Sequence, residues 1–60
     1  MQLHLPKDPV MLLSAVNMKL RDFYGNLDAL CQELDIDKAW IVETLEKIDY
    51  RYDADKNQFI

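Results

Sequence analysis

One glycine, one cysteine and one histidine are all that the sixty residues offer of three residue types on which much chemistry depends. A single glycine, Gly25, cannot build a phosphate-cradling loop, where several backbone N–H groups must approach an anion with no Cβ in the way. A single cysteine, Cys31, forms no intramolecular disulfide, and together with His4 it falls short of the three or four ligands of a zinc site. Ser14 lies far in sequence from the only histidine, so no nucleophile is seen with both a base and an orienting acid. No apolar run approaches the roughly 20 residues of a membrane-spanning helix, and the opening MQLHLPKDP has neither the basic start nor the apolar stretch of a signal peptide. None of Asn17, Asn26 and Asn57 is followed two residues later by Ser or Thr, as N-glycosylation requires. These scarcities predict a cytoplasmic protein that is not an enzyme, with no metal, no cofactor, no membrane association and no small-molecule substrate.

What is present is apolar. Half of the residues are hydrophobic, enough for a compact core and too many for a disordered tail. The length predicts one domain over residues 1–60. A chain this short buries only about 60% of the surface it exposes when unfolded, so a partner or a second copy would add meaningfully to its stability. The six aromatic residues fall at Phe23 and Tyr24, Trp40, Tyr50 and Tyr52, and Phe59, and are expected where the segments meet.

Charge is unevenly spread. Residues 1–26 carry Lys7, Lys19 and Arg21 against Asp8 and Asp22, a net +1. Residues 27–49 carry seven acids against Lys38 and Lys47, a net −5, and the last eleven residues balance, so the total of −4 sits on the middle of the chain.

A first helix is predicted over about residues 9–24. Asp8 is a suitable N-cap and Pro9 suits the first helical position, where a missing N–H is harmless. Gly25 is expected in the left-handed conformation that closes many helices. At 100° per residue Leu12, Leu13, Val16, Leu20, Phe23 and Tyr24 share one arc, the expected core face. Ser14, Asn17, Arg21 and Asp22 lie opposite, while Met11, Ala15 and Met18 form a second apolar stripe between them and Lys19.

From Asn26 to Leu45 the stretch NLDALCQELDIDKAWIVETL follows the apolar spacing of a helix-turn-helix. It predicts helices over about 27–34 and 38–48, capped by Asn26 and Asp37, with Ile36 dropping into the core from the turn and Cys31 at the close approach of the two. Asp35 stands where φ is usually positive, a conformation Asp tolerates better than most residues. After Ile48 the period shortens to 2, and residues 50–60 read as a hairpin ribbon with its turn at Asp53 to Lys56. Two strands alone are marginal in water, so the ribbon must dock on the helices or gain a third strand, for which Leu3 to Leu5 is the candidate. The predicted fold is mostly α: a three-helix bundle with a helix-turn-helix-like arrangement followed by a short C-terminal β-hairpin, a miniature winged helix.

The stretch LPKDPVMLLSAVNMKLRD at Leu5 to Asp22, the LDALC run at Leu27 to Cys31 and the closing YRYDADKNQFI resemble a bacterial family of proteins about this long, described as a domain of unknown function. The resemblance covers essentially the whole chain and implies a bacterial, cytoplasmic protein. It assigns no catalytic or binding residues.

Three sites merit weighing. On a DNA-reading helix, Asp37, Lys38, Ala39, Val42, Glu43 and Glu46 would face the major groove, three acids against one base. Acids facing phosphates oppose the cationic contacts on which such binding rests, so this surface argues against nucleic acid, leaving a degenerate helix-turn-helix regulator as the alternative function. Asp53, Asp55 and Asn57 share the spacing that opens a calcium loop, but Gln58 occupies the position where glycine makes the sharp turn, and the stretch reads as a hairpin turn. The Met11, Ala15, Met18 stripe is the candidate partner-binding site, because methionine suits adaptable surfaces and alanine lets another backbone approach. The competing expectation is that the ribbon or the N-terminal arm covers it. The function expected is a protein–protein interaction module whose partner is another protein or a second copy, with the edge strand Asn57 to Ile60 as a second docking point.

Overall fold

The computed structural model describes residues 5–60: three helices followed by a two-stranded antiparallel hairpin, α1 Pro9–Asp22, α2 Leu27–Leu34, α3 Lys38–Glu46, β1 Tyr52–Asp53 and β2 Gln58–Phe59. Each helix starts where a short polar side chain can accept an otherwise orphaned N–H. Asp8 accepts from the Met11 N–H at 3.1 Å, Asn26 from Ala29 at 2.7 Å and Asp37 from Ala39 at 3.0 Å.

The helix ends are less uniform. In α2 the Asp35 N–H donates to the Gln32 carbonyl and the Ile36 N–H to the Cys31 carbonyl, with Asp35 left-handed at φ 54°. In α3 the Asp49 N–H donates to Glu46 and the Tyr50 N–H to Leu45, with Asp49 left-handed at φ 66°. Both are Schellman closures with an aspartate where glycine is usual. Helix α3 is regular to Glu46, two residues before the predicted 48, and Lys47 to Asp49 form the turn that closes it.

Helix α1 closes differently, and the expected role of Gly25 does not hold: no glycine has a positive φ. Phe23 leaves helical geometry at φ −125°, and both Phe23 and Tyr24 donate to the Lys19 carbonyl. Because the helix ends at Asp22, Phe23 leaves the arc shared by the core residues and stands 70% exposed. Tyr50, beyond the left-handed Asp49, is likewise exposed, so two of the aromatics expected at segment junctions are outside them.

The core is one cluster: Leu12, Val16 and Leu20 of α1, Leu27, Leu30 and Cys31 of α2, Ile41 and Leu45 of α3, and Phe59 of β2. Thr44 is buried beside it, while Leu13, Tyr24, Leu34, Ile36, Trp40, Ile48 and Tyr52 pack around the edge. Among the described residues no buried side-chain nitrogen or oxygen lacks a hydrogen-bond partner.

The hairpin is held by α1. Arg51 and Ile60 exchange backbone hydrogen bonds at 3.0 and 2.9 Å, which leaves Tyr52 and Phe59 as a non-hydrogen-bonded pair with their rings 5.5 Å apart. Phe59 is fully buried among the helices, and removing such a ring typically costs about 3–5 kcal/mol. The outward-facing N–H and C=O of Phe59 would be an open strand edge, but the Asn17 carboxamide takes both: Oδ1 accepts from the Phe59 N–H at 2.8 Å and Nδ2 donates to its carbonyl at 3.0 Å. Asn17, expected on the solvent side of α1, thus supplies the docking that a two-stranded ribbon needs. This also corrects the expected docking point at Asn57 to Ile60, whose edge is closed at Phe59. Of the proposed third strand, Leu3 and His4 lie outside the described residues. Leu5 is half-buried against the core and is in no strand.

Candidate interaction surface

A polar junction ties the hairpin to the turn between α1 and α2. Asn57, left-handed at φ 52°, donates through Nδ2 to the carbonyls of Leu20 at 3.0 Å and Tyr24 at 2.9 Å. Its Oδ1 accepts from the Tyr52 hydroxyl at 2.7 Å, and that hydroxyl oxygen in turn accepts the Leu27 N–H at 3.1 Å. One asparagine and one tyrosine therefore satisfy carbonyls at the end of α1 and the first N–H of α2, groups that no helix can satisfy internally. Asn57 is spent here and not on a calcium loop, and Asp53 is an Asx turn, its Oδ1 accepting from Asp55 at 2.9 Å and Lys56 at 3.3 Å.

With the core face and the Asn17 flank of α1 occupied, the remaining face bears the sequence-derived site. Met11 is 60% exposed, Met18 is 45% exposed and Ala15 between them is half-buried. Separated by seven residues, the two methionines stand two turns apart on one line of the helix. Val10 adds an exposed apolar side chain at the same end, at 62%. Its position at the helix start, off the core arc, was the signal available for it in the sequence. The stripe's flanks are polar. Lys19 is half-buried on one side, and Ser14 and Arg21 are exposed on the other. Arg21 Nε lies 2.9 Å from Asp22 Oδ1, and this hydrogen bond and the charge behind it raise the guanidinium above its ordinary value and hold the Asp22 carboxyl below its own.

Helix α3 presents Asp37, Lys38, Ala39, Glu43 and Glu46 to solvent, with Val42 half-buried. Its one base in that set is tied up: Lys38 Nζ lies 2.9 Å from Asp28 Oδ1, a hydrogen bond that raises the lysine above its ordinary value. Arg51 approaches Glu46 at 3.6 Å. Cys31, buried between helices, has its thiol pushed up by burial, with Lys38 opposing the shift. No helix among the described residues is long and apolar enough to cross a membrane. Residues 6–59 match a family described as "Domain of unknown function (DUF4250)". Neither a curated protein nor a solved structure matches the chain.

Proposed function

The chain belongs to that family, and because its description assigns no activity, we propose from the surface itself that this is a non-catalytic protein–protein interaction module acting in the bacterial cytoplasm. The observation that supports the reading is the exposure of Met11 and Met18 on the one helix whose other sides are already used by the core and the hairpin. Methionine side chains re-pack at low cost, and Ala15 between them lets a second backbone come close. The buried, reduced Cys31 suits a reducing compartment.

Electrostatics favours polypeptide over nucleic acid. A phosphate-binding surface needs free Lys and Arg, and on the α2–α3 pair Lys38 is engaged by Asp28 while Asp37, Glu43 and Glu46 face outward. The alternative, a degenerate helix-turn-helix regulator, draws only on the order of α2, turn and α3.

The test is affinity recovery from the native cell with the intact chain as bait, against a Met11→Asp, Met18→Asp double variant. A polypeptide that the wild type retains and the variant loses, with far-UV circular dichroism unchanged, upholds the reading. Equal recovery by both overturns it, as does retention on duplex DNA that weakens steeply with added salt.

A further inference from the structure

We propose that the occupant of the Met11, Ala15, Met18 face is a second copy of this chain, docked antiparallel, α1 against α1; this rests on the reading of that face as a polypeptide-binding surface. The first argument is charge. Residues 1–26 carry a net +1 and residues 27–49 a net −5, so α1 is where two copies of a protein of charge −4 meet with least repulsion.

The second argument is register. Setting Met11 of one helix level with Met18 of an antiparallel copy places Ala15 next to the two-fold axis, where a small side chain allows close approach. The same register sets Lys19 level with position 10 of the second copy, about 3 Å along the axis from its Asp8. Asp8 and Lys19 are eleven residues apart, about three full turns, and so lie on one flank of the stripe, which in a two-fold antiparallel pair is the flank that faces itself. Neither has an ion-pair partner among the described residues, whereas Arg21, on the other flank, is already paired with Asp22. Two cross-copy ion pairs therefore flank a Met–Ala–Met seam, and the antiparallel helix dipoles reinforce them. A contact through one helix face per copy falls below the roughly 1,200 Å² of a standard interface, so the dimer is weak and exchanges readily.

Sedimentation equilibrium of the intact chain from about 10 µM to about 1 mM reads it directly. The expected result is a monomer–dimer equilibrium that Met18→Asp weakens at least tenfold and Lys19→Glu weakens severalfold, both with unchanged circular dichroism. Orientation is read by mild oxidation. Ala15→Cys is expected to cross-link between copies, and Met11→Cys is not, because the two Met11 positions stand about 10 Å apart along the antiparallel axis. A wild-type chain that stays monomeric throughout overturns the second copy as occupant, while Met18-dependent recovery of a different polypeptide would still uphold the interaction module. A dimer indifferent to Met18→Asp, a Met11→Cys cross-link as efficient as that of Ala15→Cys, or loss of helical signal in Met18→Asp overturns the inference outright.

Discussion

Asn17 and Phe59, 42 residues apart, meet as though they belonged to neighbouring strands: one carboxamide gives and takes the two hydrogen bonds that a third strand would have made with the Phe59 backbone. The pairing holds Phe59 in the core and closes the edge of β2 at that residue, so the hairpin is tied directly to α1.

Asn17→Ala is expected to destabilise the chain by about 2–3 kcal/mol, the loss of two part-buried hydrogen bonds that also leaves two backbone groups unpaired. Asn17→Asp keeps the acceptor but faces a carboxylate oxygen toward the Phe59 carbonyl, so it is expected to be no better than alanine at neutral pH. Urea denaturation of the three proteins gives the ranking, and a loss below about 0.5 kcal/mol for alanine would mean that the pair contributes no stability.

Asn57 presents the opposite balance of local and long-range effects. Its φ of 52° favours glycine, yet Asn57→Gly would forfeit bonds to Leu20, Tyr24 and Tyr52. The expectation is a net loss of about 1–3 kcal/mol, with Tyr52→Phe costing about 1–2 kcal/mol. Since the two side chains share a bond, the double variant Asn57→Gly, Tyr52→Phe should lose less than the sum of the singles. Strict additivity in thermal or urea unfolding would contradict the shared junction.

At Asp35 and Asp49 nothing among the described residues offsets the backbone preference, because neither carboxylate makes a hydrogen bond or ion pair with them and both are exposed. Asp35→Gly and Asp49→Gly are each expected to leave stability equal or raised by up to about 1 kcal/mol, and to act additively. A clear drop in midpoint for either would reveal a bond from the carboxylate.

Cys31 makes stability pH-dependent on the alkaline side. Burial raises the thiol above its ordinary value, so the folded chain favours the protonated form. The contribution is fully present below the unfolded thiol's pKa and is lost as pH rises through the folded value. Between pH 7 and pH 10 the wild type should lose more of its denaturation midpoint than Cys31→Ala does. Equal losses would show that the thiol titrates alike in both states.

Phe23 supplies a control. At 70% exposure its truncation, Phe23→Ser, should change the unfolding free energy read from urea denaturation by no more than about 0.5 kcal/mol, whereas Phe59→Ala should cost about 3–5 kcal/mol. Two phenylalanines of equal intrinsic hydrophobicity differ because one follows the end of α1 and the other plugs the bundle.

The order of three helices and a hairpin, the caps Asp8, Asn26 and Asp37, and the left-handed Asp35 are legible in the chain because each depends on residues within one helical turn. The buried faces of α2 and α3 follow from the same short periods. Asn17 reads as solvent-facing in sequence because helical periodicity registers polarity and is blind to a partner 42 residues away. Asn57 reads as turn residue or metal ligand for the same reason, its carbonyl partner Leu20 lying 37 residues off. Phe23 reads as core because periodicity continues on paper after the helix has stopped.

By itself, then, the sequence determined which segments coil, where each begins, and that the net negative charge lies on residues 27–49 and not on α1. Only the tertiary structure decided how the ribbon is held, how α1 ends and that Met11 and Met18 stay at the surface. The physical reason is range: capping and periodicity act over three or four residues, while a carboxamide finds its backbone partner only after the chain has brought distant segments together.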